Sequence, residues 1–233
     1  MKLSFKNKVA IISGATKGIG NEIAHTLSKY GVELGLISRN ESNLVKVANE
    51  INTLYGKTPI IHKGNIQVQE DFKDIVNKVI QKWNKVDFLV NNAGITKDNL
   101  IIRMTDSDWE EVLNVNLKGT FNGMKCVLKH MIKNKFGKII NISSVVGISG
   151  NAGQANYSAS KAGMVAMSKS LAIEYAKKNI TINCVSPGFI QSKMTDKIVE
   201  SIKAVLTSRI PMSKLGTGED VSNTVAFLSS DAA

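Results

Sequence analysis

"KVAIISGATKGIGNEIA", residues 8–24, runs from an apolar stretch through three glycines into a segment with helical spacing of apolar residues. Val9 to Ile12 are apolar without alternation, the pattern of a strand buried on both faces. Gly14, Gly18 and Gly20 follow at once and open a helix expected over roughly 18–30. Backbone amides and the helix dipole at such a start can hold a pyrophosphate, and glycine permits both the tight turn and the close approach. The spacing is Gly-x-x-x-Gly-x-Gly, which departs from the common Gly-x-Gly-x-x-Gly fingerprint. A plain strand-to-helix turn is the alternative reading.

The same alternation continues down the chain. Further strand-like runs are "VELGLIS" (32–38), "TPIIHKG" (58–64), "VDFLVNN" (86–92), "GKIINIS" (137–143) and "ITINCVS" (180–186). Helical patterns lie between and after them at roughly 41–55, 68–83, 106–134, 154–177 and 219–229. Strands separated by helices imply an α/β fold, a Rossmann-like doubly wound parallel sheet with helices on both faces. The 233 residues suit one such domain over the whole chain. Ligands of these sheets bind beyond the carboxyl ends of the strands, and each run here ends in Gly, Asn or Ser.

The end of the second run bears on the choice of dinucleotide. An acidic residue there binds a ribose 2′-hydroxyl, whereas an arginine accommodates a 2′-phosphate. Ser38 and Arg39 occupy the position and Lys17 adds a positive charge from the glycine loop, which favours NADPH. Either cation alone also reads as solvated surface.

Composition narrows the remaining classes. The net charge of +11 comes from lysines scattered through helical segments, and the chain has only three arginines, Arg39, Arg103 and Arg209. That pattern argues against a nucleic-acid reader. The apolar runs are too short to span a bilayer and the N-terminus runs into a strand without a cleavable signal, so a cytoplasmic protein off the membrane is expected. Cys126 and Cys184 share no metal or redox spacing and read as buried small residues. His25, His62 and His130 are isolated, which argues against a zinc site or a His-based triad, and no metal is expected.

"NYSASKAG", residues 156–163, sets Tyr157 four residues before Lys161. Composition alone would produce such a pair roughly 0.5 times, so the spacing by itself carries little. On one helix the two side chains share a face. An ammonium about 4 Å from a phenol, at an effective dielectric of about 20, is worth about 4 kcal/mol, enough to bring a pKa of ~10 towards neutrality. The pair is therefore expected to contain an acidified tyrosine.

With the glycine loop, "NNAG" (91–94), "NVNL" (114–117), Ser144, Tyr157, Lys161 and "PG" (187–188) in order, the chain resembles the short-chain dehydrogenase/reductases along essentially its whole length. "NNAGITKDNLIIRM", "GNAGQANYSASKAG" and "PGFIQSKMT" are most similar to the 3-oxoacyl-(acyl carrier protein) reductases of bacterial-type fatty acid synthesis. The resemblance implies a catalytic tetrad of Asn116, Ser144, Tyr157 and Lys161. It also implies cofactor contacts at Gly14, Ala15, Thr16, Lys17, Gly18, Ile19, Arg39, Asn65, Ile66, Asn92 and Ile190, besides Tyr157 and Lys161. In the implied reaction NADPH reduces the β-keto group while Tyr157 protonates its oxygen and Ser144 holds it. Lys161 would bind the nicotinamide ribose, and Asn116 would order a water leading to solvent.

A homotetramer is implied as well, with an acidic acyl carrier protein as partner. Lys135 and Lys178 match basic positions facing the carrier in that group, and Arg103 lies near them in the "RM" segment; solvated helix ends are the alternative. The segment from about 188 to 216, with Met194, Val199 and Ile202 at spaced positions, is expected to cover the substrate, with a plain packed helical pair as the alternative. The group continues past "FLSSDAA" into a glycine-rich final strand that this sequence, ending at Ala233, is expected to lack. An acetoacetyl-CoA or other ketone reductase is the nearest alternative. A nucleotide-sensing or nucleic-acid-binding protein on the same fold is the alternative outside enzymes.

Overall fold

A computed structural model describes residues 5–191, 207–208 and 210–233. Each of the six expected strands is present: β1 (Val9–Ser13), β2 (Glu33–Ser38), β3 (Ile60–Lys63), β4 (Phe88–Asn91), β5 (Gly137–Ile142) and β6 (Ile180–Val185). They form one parallel sheet in the order β3-β2-β1-β4-β5-β6. The chain reverses its direction of winding between β1 and β4, so the crevice at their carboxyl ends is where such a sheet takes its ligand.

The two faces of the sheet explain the apolar runs. Ala10, Ile12, Leu34, Leu36 and Val90 pack against α1 (Gly18–Lys29) and α2 (Glu41–Tyr55), joined by a late helix, Gly218–Ser229. Ile11, Ile37, Leu89 and Ile139 face the other way onto α3 (Gln69–Trp83) and onto Met124, Val127 and Met131. Every residue of β1 and β5 is buried, as a strand covered on both sides requires.

The expected helix 106–134 is interrupted. It divides into α4 (Asp106–Leu113), a π-helical turn (Asn114–Lys118) and α5 (Gly119–Asn134). The cause is tertiary: the fully buried Asn116 side chain exchanges two hydrogen bonds with the Ile95 backbone and reaches Ser160, and the wider turn aims it inwards. A short helix, α6 (Val146–Ser149), and a 3-10 turn (Ile101–Arg103) also arise where no helix is expected from the sequence. The long α7 (Ala155–Tyr175) ends in a 3-10 turn (Ala176–Lys178), and α8 is Gly218–Ser229, started by a capping box of Thr217 and Asp220.

Cys126 is buried and Cys184 half-buried, both as free thiols. No helix among the described residues is long and apolar enough to cross a membrane.

Candidate active site

The loop after β1 divides its glycines between packing and access. Gly14 and Gly18 both have positive φ, 70° and 53°. A Cβ on Gly14 would lie 2.7 Å from the Ala93 Cα, and one on Gly20 would run into the Asn92 amide and the Gly14 carbonyl. These two glycines let the loop close against the "NNAG" turn after β4, where Asn92 Nδ2 donates to the Ser13 and Gly14 carbonyls (3.3 and 3.0 Å). A Cβ on Gly18 would instead meet no described atom within 4 Å, so this glycine faces open space. Replacing Gly20 by Ala is expected to cost about 2 kcal/mol through overpacking. Its Tm should fall by about 4–8 °C, and an unchanged thermal unfolding curve would contradict this packing.

These residues fit a dinucleotide. Helix α1 starts with no side-chain cap and no acidic residue in its first turn, so its amides and dipole are available to a phosphate. Ala15 is buried beneath the loop, Ile19 packs on the core, and Thr16 Oγ1 lies 3.4 Å from Ser38 Oγ at the end of β2. Lys17 and Arg39 are exposed and form no ion pair among the described residues. Beyond β3, Asn65 is held by Asp71 through its N–H (2.6 Å), and the carbonyl of the buried Ile66 accepts from Asn122 (2.9 Å). On the far side of the crevice Ile190 forms a bridge with Gly216.

The four residues of the expected tetrad come from three elements beside that crevice. Ser144 follows β5, Asn116 comes from the π-turn, and Tyr157 and Lys161 come from the first turns of α7. Lys161 is buried, and its Nζ donates to the Ile142 carbonyl at 2.7 Å and stands 5.6 Å from the centre of the Tyr157 ring. A Cβ on Gly94 would be 3.2 Å from Asn116 Oδ1 and 3.6 Å from Lys161 Nζ, so this glycine keeps the space between the two groups clear.

The expected acidification of Tyr157 is corrected by this geometry. Burial pushes the phenol above its usual value of 10, the Ser144 side chain opposes the shift, and the charge of Asp98 adds to it. Burial also draws the Lys161 ammonium down to about 8. The Lys161 ammonium is directed at a main-chain carbonyl, and burial, the Ser144 side chain and Asp98 are what set the phenol. Tyr157 is therefore a neutral phenol at pH 7, which is the form that can give up a proton.

Two supporting residues carry no motif of their own. Buried Asn156 accepts from the Tyr157 N–H (2.7 Å) while its amide donates to the Lys97 and Asp108 carbonyls (2.9 and 3.3 Å), tying the start of α7 to the loop after β4. Ser160 accepts from Asn116 (3.0 Å) and donates to the Tyr157 carbonyl (2.7 Å). Their places beside Tyr157, one before and three after, are the only sequence signal of these roles. Asn116 has both amide hydrogens committed, so one lone pair on Oδ1 is what remains for a water.

The sequence pattern of the short chain dehydrogenase family matches residues 8–203. The chain belongs to this family. Membership makes the short-chain dehydrogenase an oxidoreductase that works with a nicotinamide cofactor. It is 43% identical over 230 residues to a 3-oxoacyl-(acyl-carrier-protein) reductase FabG of Thermotoga maritima, covering 98% of this chain and 93% of that one. A reductase of the same name from Rickettsia felis is 44% identical over 231 residues (99% and 92% of the two chains). One from Aquifex aeolicus is 42% identical over 233 residues (100% and 94%).

In the short-chain dehydrogenase the two lysines suggested for carrier contact are away from the crevice. Lys135 caps α5 in a left-handed conformation (φ 49°), and its carbonyl accepts from Asn179 next to Lys178 (3.2 Å). Both lysines precede the amino ends of β5 and β6, opposite the edge that carries the tetrad. The rise along α7 alone puts Lys178 about 30 Å from Tyr157. Arg103 sits on the side of the expected tetrad, in the 3-10 turn whose loop is bonded to Gly153 through the Asn99 N–H (2.8 Å). The segment expected to cover the substrate, including Met194, Val199 and Ile202, falls mostly outside the described residues. Its two ends meet, with Gln191 donating to the Gly216 carbonyl (2.8 Å) and Gly216 to that of Phe189 (3.0 Å).

Proposed function

We propose that this short-chain dehydrogenase reduces the 3-oxoacyl group of an acyl carrier protein thioester to the 3-hydroxyacyl group, using NADPH, in cytoplasmic fatty acid biosynthesis. The observation that carries the reading is the likeness, over nearly the whole chain, to reductases of that name, together with a tetrad gathered at one crevice. The chemistry that NADPH would supply, when held by the glycine loop and Lys161, is a hydride for the β-keto carbon. The Ser144 hydroxyl holds the keto oxygen and sets its orientation. Tyr157 donates its phenolic proton to that oxygen as negative charge develops on it. Lys161 binds the nicotinamide ribose, and the free lone pair of Asn116 orders a water through which the proton of Tyr157 is replaced. Asn156 and Ser160 keep the start of α7 in register for this transfer.

The preference for NADPH rests on Lys17 and Arg39, exposed cations at the glycine loop and the end of β2, with no carboxylate at the position that would take a ribose 2′-hydroxyl. Following absorbance at the reduced nicotinamide band with acetoacetyl-carrier substrate tests reaction and cofactor together. Turnover with NADPH at least about tenfold above that with NADH is expected. Faster turnover with acetoacetyl-CoA than with the carrier-linked substrate would favour a general ketone reductase instead.

The reading includes a homotetramer. A carrier docked on Lys135 and Lys178 is too distant to serve Tyr157 of the same chain, so these cations act for the crevice of a neighbouring subunit. Trp109 on α4, Phe121 on α5 and Ile173 on α7 are exposed apolar side chains that such an assembly would cover. Reversing both charges, Lys135→Glu with Lys178→Glu, is expected to lower kcat/KM for the carrier-linked substrate by about tenfold and to spare the CoA thioester. Equal effects on both substrates would place docking elsewhere.

A further inference from the structure

A third cation reaches the end of β2 through the sheet and not through the chain. Ser38 pairs directly with Lys63 in the parallel β2–β3 ladder, and the next residue, Gly64, donates its N–H to the Ser38 carbonyl (3.0 Å). Paired residues of neighbouring strands lie about 4.8 Å apart and present their side chains on the same face. Leu36 and Ile61, two residues earlier on each strand, pair in the same way and pack on the core beneath α1 and α2. Lys63 therefore leaves the sheet on the face of α1 and α2, at the level where Ser38 meets Thr16 of the glycine loop. His62, one residue before it, belongs to the other face, where its ring lies 3.1 Å from Lys78 of α3. Lys63 is exposed and, like Lys17 and Arg39, forms no ion pair among the described residues. The carboxylates nearest in sequence are directed elsewhere: Glu41 lies in the first turn of α2, and Asp71 accepts from the Asn65 backbone.

We propose that Lys63 is a specificity-determining residue that, with Lys17 and Arg39, binds the 2′-phosphate of the adenosine ribose. The inference rests on the NADPH reading and deepens it. Three positive charges around one polar position, the paired Thr16 and Ser38 hydroxyls, form a site for a dianion and leave a neutral 2′-hydroxyl unrecognised. Lys63 comes from the third strand, so this contribution is independent of both the glycine loop and the residue after β2.

Binding tests this without turnover. Dissociation constants of adenosine 2′,5′-bisphosphate and of AMP are measured by calorimetry for the wild type and for Lys63→Gln, and those of NADPH and NADH by nicotinamide fluorescence. Loss of Lys63 is expected to weaken adenosine 2′,5′-bisphosphate and NADPH by about five- to tenfold while AMP and NADH stay within about twofold. A Lys63→Gln protein that keeps the full wild-type preference for the 2′-phosphorylated ligands overturns the role of Lys63 and leaves Lys17 and Arg39 in place. Equal weakening of all four ligands also overturns it, since the residue would then support the fold. A wild-type protein that binds adenosine 2′,5′-bisphosphate no tighter than AMP overturns the NADPH reading and this inference together.

Discussion

Replacing Tyr157 by Phe is expected to lower turnover of a 3-oxoacyl thioester by about 10²–10⁴-fold while leaving the dissociation constant of the cofactor nearly unchanged. The substitution removes one oxygen from a half-buried ring whose backbone is fixed independently, through Asn156 at its N–H and Ser160 at its carbonyl. Ser144, Lys161 and the glycine loop therefore keep their places. What is lost is the proton donor, and no other acidic hydrogen of the tetrad substitutes for it. Ser144 is far too weak an acid, and Lys161 is turned to the Ile142 carbonyl. The separation of effects is the informative part: kcat should collapse with binding intact. Loss of cofactor affinity in parallel with kcat would indicate damage to the site, and retained turnover would remove Tyr157 from proton transfer.

A second large effect is expected at Lys161, in two quantities that need not move together. Lys161→Met should abolish most of the turnover because the proposed ribose contact is made by Nζ. Its stability at neutral pH should change little. Burial holds the folded-state pKa at about 8 against 10.5 for an ordinary lysine, an unfavourable contribution on the order of 3 kcal/mol that the substitution removes. Stranding the Ile142 carbonyl costs about 1–3 kcal/mol in the opposite direction. The pH dependence then separates the two proteins. Below about 8 the lysine is charged in both folded and unfolded chains and the burial penalty is fully present; from about 8 to 10.5 the folded chain has released a proton that the unfolded chain retains. Stability of the wild type should rise through that window relative to the variant. Urea unfolding at pH 7 and pH 10 measures this, and a difference that stays constant between the two pH values would show that Lys161 is not desolvated.

The architecture is legible in the sequence because each strand is covered on both faces, which turns a tertiary fact into an unbroken apolar run such as Val9–Ile12. The glycine loop is legible for a related reason: Gly14 and Gly20 answer to steric demands from Ala93 and Asn92 that any side chain would violate. The break at Asn114–Lys118 leaves no trace, since apolar residues keep helical spacing through it and its cause is the contact of Asn116 with Ile95 and Ser160. The acidity of Tyr157 escapes a sequence reading on the same grounds. Spacing puts Lys161 on its face of the helix, but the partner of Nζ is a backbone carbonyl, which has no signature in a sequence, and burial depends on the whole fold. The remoteness of Lys135 and Lys178 from the tetrad follows from their places just ahead of the fifth and sixth strands. Pairing of Lys63 with Ser38 does not, because it depends on the register between strands.

The mechanism depends above all on Tyr157 standing as a neutral phenol, kept so by burial, that gives its proton to the substrate. Tyrosinate absorbance of the wild type minus that of Tyr157→Phe, followed across pH, isolates the ionisation of this one ring. The difference should stay at zero through neutral pH and develop only above about 10. A step between pH 6 and 8 would reveal an acidified tyrosine and refute this mechanism.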